Sequence, residues 1–198
     1  MNTEVKTLAE RVAALGHELY PGYYVYASGV VSKEKNADES PIVGVIVSKS
    51  KDAKAEVGKR AKMIVLSQVR KAWANRDVVL DVSSQIYGQV STNAVIDKAI
   101  ELKIEVPACS YCADFHCEGI EKGEAYLPAK MELLDASVNE HVVNEALYAI
   151  GAARFRGIYW TASEYNKERA WQVDIEKGAT QVYAKTYGGD YVRPFVSL

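Results

Sequence analysis

The sequence predicts an α+β domain, on two observations. Segments rich in β-branched and aromatic residues open and close the chain, while the middle carries helical periodicity. That order, strands then helices then strands, is the pattern of an α+β domain whose first and last strands share a sheet.

The opening strands are read in GYYVYASGVVS (22–32) and SPIVGVIV (40–47). Both alternate or run apolar, as half-buried and fully buried strands do. KMIVLSQV (62–69) is a third strand of this kind, and the charged stretch 50–60 is a loop. Residues 75–90 show no clear period. A helix follows over 92–102, with Thr92 or Asn93 as its cap and Ala94, Val95, Ala99, Ile100 and Leu102 on its apolar side. Pro107 and Pro128 each open a further helix, since proline suits the first turn. A short one is expected over 139–150. After Gly157 the chain is strand and turn, with Gly178 and Gly188-Gly189 as the turns.

Before all of this lies a separate segment, residues 1–21. Residues 3–19 read as a helix capped by Thr3 and ended by Pro21-Gly22. Val5, Leu8, Val12, Leu15 and Leu19 recur at spacings of three and four, the stripe of a heptad seam. Two readings fit: an amphipathic helix packed on its own domain, or a short coiled coil joining copies through Val5, Leu8, Val12 and Leu15. Residues 22–198 form the main domain.

Composition narrows the function. The formal charge is −2 and no basic run is present, so neither nucleic acid nor an anionic membrane is an expected partner. No apolar stretch approaches the ~20 residues that span a bilayer. The first twenty residues mix charges through their apolar positions, unlike a secretion signal. The expectation is a chain made in the cytoplasm, or a mature form restarted with Met. The three histidines are dispersed, and no phosphate-binding glycine loop, HExxH or Ser/His/Asp motif occurs.

Two clusters still merit a chemical reading. Cys109, Cys112, His116 and Cys117 form C-x2-C-x3-H-C, a donor set that zinc accepts. Structural zinc takes its ligand pairs from separated segments, however, and adjacent His116 and Cys117 side chains diverge. Partly buried free thiols are the preferred reading, and no cofactor is expected. Glu164 and Asp174 form a nominal acid pair. The preferred role for Glu164 is a structural acceptor within its turn.

Four blocks in the C-terminal half carry a resemblance: GEAYLPAKMELL (123–134), IYWTASEY (158–165), AWQVDIEKG (170–178) and YVRPFVSL (191–198). In this order they resemble a family of C-type-lectin-like domains found at the C-termini of bacterial collagen-like adhesins and in gut-bacterial and phage proteins. The upstream strands and STNAVIDKAI and PACSYCADF resemble the family more weakly. Glu124-Ala125-Tyr126 replaces the family's Asp-Trp, and Phe195-Val196 departs from its closing pair, both keeping residue character. The resemblance implies a small antiparallel sheet in loop-rich surroundings, and a role as an adhesin or receptor-binding tip. Some relatives are targets of diversity-generating retroelements. The formylglycine-generating enzymes share the broad fold but depend on late cysteines, and this chain has none after Cys117. The calcium-binding strings of true C-type lectins are also missing from the sequence.

Strand alternation then assigns faces. Trp171, Val173 and Ile175 go inward with Trp160, and Arg193 fixes the closing strand. The displayed set is Tyr165, Asn166, Lys167, Glu168, Arg169, Gln172, Asp174, Gln181, Tyr183, Lys185, Tyr187 and Asp190. Tyrosine offers rigid contact area at low entropic cost, which suits a binding surface. The expected ligand is a surface protein or glycan of a bacterial cell. A phage tail-fibre tip is the favoured setting, and a surface-anchored adhesin is the alternative.

Overall fold

The computed structural model describes residues 6–52, 54–82 and 84–198. In chain order the elements are α1 (Leu8–Leu15), β1 (Tyr24–Tyr26), β2 (Val31–Ser32), β3 (Ile42–Lys49), β4 (Ala61–Val65), β5 (Val69–Arg70), α2 (Gly88–Leu102), α3 (Pro107–Asp114), β6 (Ala125–Tyr126), α4 (Lys130–Ser137), α5 (Glu140–Ala149), β7 (Ile158–Glu164), β8 (Arg169–Asp174), β9 (Ala179–Ala184), β10 (Tyr191–Val192) and β11 (Phe195–Ser197). The class is α+β.

The strands form two sheets, ordered β2-β1-β3-β4-β11-β6 and β5-β10-β7-β8-β9. The last strand does return to the opening sheet: β11 pairs antiparallel with β4, Phe195 opposite Ile64. Its neighbour β10 stays in the other sheet, parallel to β7. The two residues between them, Arg193 and Pro194, carry the chain from one sheet to the other. Arg193 is buried, and its guanidinium donates to the carbonyls of Val65 (2.7 Å), Leu66 (3.2 Å) and Ala153 (2.9 Å).

Three apolar clusters hold these layers. One joins the first sheet to α4, α5 and the inner face of the second sheet through Tyr24, Val45, Leu133, Leu147, Tyr159 and Val173. Another packs α1 on the far side of the first sheet, and a third packs α2 and α3 on the other face of the second sheet. The second sheet is therefore covered on both faces except toward its β9 edge.

α1 differs from the sequence expectation at both ends: it stops at Leu15, where Gly16 turns left-handed (φ 66°), rather than running on to Pro21-Gly22. Its cap is Thr7, whose hydroxyl accepts from Glu10 N–H while the Glu10 carboxylate accepts from Thr7 N–H, a reciprocal capping box. Thr3 and Val5 lie outside the described residues. Leu8 and Val12, proposed for an oligomer seam, are 0% and 1% exposed and pack with Leu19 on Val25, Val43 and Ile46. They are spent on the domain's own core and unavailable to a second copy, while Leu15 is left exposed. The helix lies so close to the β1–β2 turn that a Cβ at Gly29 would stand 2.6 Å from the Arg11 Cβ.

α2 also starts earlier than expected. It begins at Gly88, and Thr92 sits within it, exchanging hydrogen bonds with the Leu127 backbone. The capping function falls instead to Glu132 of α4. Its carboxylate accepts from Gly88 N–H (3.2 Å), from Ala129 N–H at the start of its own helix (2.9 Å), and from the Tyr126 hydroxyl (3.2 Å). Burial raises the Glu132 carboxyl pKa despite these donors and nearby Lys62.

Because Leu8 is core, Leu8→Ala should cost about 2–5 kcal/mol of stability in urea unfolding. Sedimentation velocity should show the same oligomeric state before and after the change.

Candidate functional site

The β7–β8 and β8–β9 hairpins build the region where the sequence placed its contact residues. β9 pairs with β8 in an unbroken register from Arg169 opposite Ala184 to Asp174 opposite Ala179. The β7–β8 turn is shaped by Asn166, whose side-chain oxygen accepts from Glu168 N–H (2.9 Å) and Arg169 N–H (2.8 Å). Tyr165, Asn166, Lys167, Glu168 and Arg169 are all exposed, as are Gln181, Tyr183 and Tyr187.

Strand alternation predicts Lys185 and Gln172 on the displayed face, but the structure buries both, at 0% exposure. Lys185 lies just past the end of β9, where the strand alternation no longer applies. Its ammonium pairs with Glu164, donates to Val78 O (2.6 Å) and sits 4.8 Å from the Trp73 ring centroid. Its backbone is equally committed: its N–H donates to Glu168 O, and its carbonyl accepts from Trp73 and Ala74. Burial lowers the Lys185 pKa, and the Glu164 contact works against that. Glu164 in turn accepts from Leu80 N–H (2.9 Å) and Val82 N–H (3.4 Å). The pair thus nails the long 71–87 connection onto the sheet.

Gln172 is buried on the face of the second sheet that it shares with Trp160 and Ala170. Alternation does put Gln172 opposite Gln181 and on the face of Trp160, but α2 and α3 cover that face too. Gln181 donates to Gln172 (2.8 Å), and Gln172 donates to Asp190. Asp190 is half-buried at the end of this chain. Burial raises its carboxyl pKa, with the Gln172 bond and Arg70 opposing. Asp174, also half-buried, is paired with Lys177 (2.9 Å), which lowers its carboxyl pKa. Asp174 and Glu164 occupy opposite ends of the β7–β8 hairpin, so they form no acid pair.

The exposed residues make two patches on either side of one edge. Tyr183 and Tyr187 pack edge to face, ring centroids 4.9 Å apart, on the Gln172 side. Tyr165 packs edge-on against Trp171 at 5.1 Å on the opposite side, and Lys130 lies 4.0 Å over the Trp171 ring. Trp171, expected inside, is half-buried and belongs to this second patch. Between the patches, an open groove along the edge is lined by Arg169, Val182, Tyr183, Ala184, Thr186 and Tyr187.

A second concavity, of ≈ 760 Å³, lies between α2 and α3, at residues the sequence does not single out as a site. Ile96, Ile100, Ile104, Pro107, Tyr111 and Phe115 line it. Ile100, expected on the apolar side of α2 with Val95 and Ala99, is instead 71% exposed and lines this groove one turn from Ile96, because the buried side of the helix is centred on Val95 and Ala99. The cysteines are split. Cys109 and Cys112 are fully buried beside this groove, and burial raises both thiol pKa values. Cys117 and His116 are at the surface, and the described residues hold no group of three or more His, Cys, Asp or Glu side chains arranged for a metal ion.

The sequence matches no protein-family model and no curated protein. Its fold has a counterpart among solved structures. A fimbrial protein from Bacteroides ovatus superposes with a TM-score of 0.64 at 15% identity, over 92% of this chain and 49% of the other. The chain therefore spans about half the length of that fimbrial protein. At this identity the likeness shows a shared fold.

Lys185→Met should cost about 3–5 kcal/mol in urea unfolding, because Glu164 is left buried without its partner. Adding Glu164→Gln should restore part of that loss. A surface lysine would show neither effect.

Proposed function

We propose that this chain is a recognition module of a bacterial surface structure, C-type-lectin-like in fold, that binds a surface protein or glycan through the rim around β9. It acts by binding rather than by catalysis. The observation that carries this reading is the gathering of Tyr165, Tyr183 and Tyr187, which are 52%, 45% and 45% exposed, around one strand edge with Arg169 and Gln181. Half-exposed tyrosines held by ring contacts are already ordered. They lose little entropy on binding and keep their hydroxyls available to a polar ligand. Arg169 adds a second residue type favoured as an interface anchor.

The contact set is accordingly smaller than the sequence suggested. Tyr165, Lys167, Glu168, Arg169, Gln181, Tyr183 and Tyr187 are the contact residues, Asn166 shapes the turn, and Gln172, Asp190 and Lys185 support them from behind. The likeness to a fimbrial protein, together with the resemblance of residues 123–198 to adhesin domains, favours a bacterial surface structure over a virion tail tip.

The double change Tyr183→Ala and Tyr187→Ala should weaken binding to intact bacterial cells, or to a printed array of bacterial surface polysaccharides. The expected loss is about 2 kcal/mol or more. Thermal stability should change little, since an aromatic pair is worth roughly 0.5–1.5 kcal/mol. Unchanged binding in flow cytometry and on the array would remove these tyrosines from the site.

A further inference from the structure

The two sheets have four edge strands. β2, β5 and β6 are two residues long, too short to template another chain. β9 is the exception, at six residues, Ala-Thr-Gln-Val-Tyr-Ala. Long edges in natural proteins are usually guarded by a charge, a proline or a bulge. β9 has none of these: its register with β8 is continuous, and no residue from Ala179 to Ala184 is charged.

The direction of its free backbone groups follows from β8. Arg169 O accepts from Tyr165 and Asn166 N–H, Trp171 O accepts from the Thr161 hydroxyl, and Ile175 N–H donates to Gly157 O. The odd-numbered residues of β8 therefore point toward β7, and Ala170, Gln172 and Asp174 point toward β9. Their partners are Tyr183, Gln181 and Ala179. By the alternation of an antiparallel ladder, Thr180, Val182 and Ala184 turn their N–H and C=O groups outward, away from the sheet. Of these groups, Ala184 O alone takes a bond from the neighbouring turn, from Tyr187 N–H.

We propose that β9 pairs with β9 of a second copy of this chain, antiparallel about a twofold axis at Val182, joining two five-stranded sheets into one. In that register Val182 faces Val182 of the second copy, Thr180 faces its Ala184, and Gln181 faces its Tyr183. Every outward N–H meets an outward C=O, Ala184 O accepting both from Tyr187 N–H and from Thr180 N–H of the second copy, and no like charges stand opposite each other. Such isologous pairing needs a self-complementary strand, and this one is small or apolar at Thr180, Val182 and Ala184 on one side, with Gln181 and Tyr183 on the other. A diagonal pair of tyrosines lies within reach across an antiparallel edge, so Tyr183 and Tyr187 of both copies form a single aromatic platform. The twofold axis stands perpendicular to the sheet, which keeps both copies' platforms on one side. The edge groove along Arg169, Val182 and Tyr183 is where the second strand sits.

The pairing stands apart from the ligand reading, since its test needs no ligand. Sedimentation velocity on the full chain, from micromolar to millimolar concentration, should show reversible dimers. Val182→Pro removes an outward N–H that no neighbour uses and should weaken dimerisation by roughly tenfold or more. Thr180→Lys alters an exposed side chain and should do the same, which covers the case in which the proline variant folds poorly. Near-UV circular dichroism of the lysine variant should match the wild type. A wild type that stays monomeric at millimolar concentration overturns the proposal and leaves the edge open to a foreign strand. A dimer that both variants leave unchanged overturns it as well, by placing the interface elsewhere.

Discussion

The guanidinium of Arg193 sits where the chain leaves one sheet for the other. A backbone that crosses between sheets cannot continue either ladder, so the carbonyls around the crossing lose their strand partners. Arg193 supplies donors to Val65, Leu66 and Ala153, and to the Gln68 side chain (3.3 Å), which also accepts from the Tyr159 hydroxyl (2.7 Å). Only a planar fork with five N–H groups reaches so many acceptors from one position. Burial lowers the Arg193 pKa, an effect opposed by Tyr159. Pro194, which has no N–H to satisfy, follows at the crossing, and its carbonyl accepts from Val65 N–H (3.1 Å). The relative placement of the two sheets, and with it the shared core around Tyr159 and Phe195, depends on this one buried cation.

That placement explains why so little of the second sheet is available for contact. With α4 and the first sheet on one side and α2 and α3 on the other, β7 is sealed, and β8 is buried at Ala170, Gln172 and Val173 while Arg169 and part of Trp171 reach its rim. Polar residues on β8 are buried and must find partners, hence the Gln181–Gln172–Asp190 relay. Solvent reaches the outermost strand, the turns beside it and the Arg169 and Trp171 end of β8. The Tyr-rich surface is a rim, with patches on both sides of it.

Much of the fold was legible in the sequence. The β-branched runs at 42–49 and 61–65 and the alternation at 158–164 and 169–174 mark strands because burial pattern and propensity agree there. Pro107 marks the start of α3 to the residue. What was not legible arose from tertiary partners. Thr92 looks like a cap but is an interior residue serving Leu127, because Glu132 caps α2 from forty-four positions away. Gln172 looks displayed because alternation separates two faces without saying which one is covered, and Lys185 because the alternation is carried past the end of β9 at Ala184. Leu8 and Val12 fit an intermolecular seam and an internal one equally well, since a heptad stripe does not say whose surface it meets. The turn at 165–169 was read correctly as exposed because Asn, Lys, Glu and Arg in succession leave nothing to bury.

The segments that display side chains share a construction. The turn after Glu164 begins at a buried carboxylate and returns to the sheet at buried Ala170. The loop from Thr186 to Gly189 begins after the buried Lys185 ammonium and ends at Asp190, held by Gln172. Each exposed stretch is a short span strung between two fixed posts. The posts carry the folding constraint, so substitutions in the spans leave the core contacts of the posts untouched. Side chains in these spans can change chemistry at little cost to the fold, while the posts cannot. Variation across natural relatives should therefore be punctuated, with diverse spans between posts that keep their chemistry.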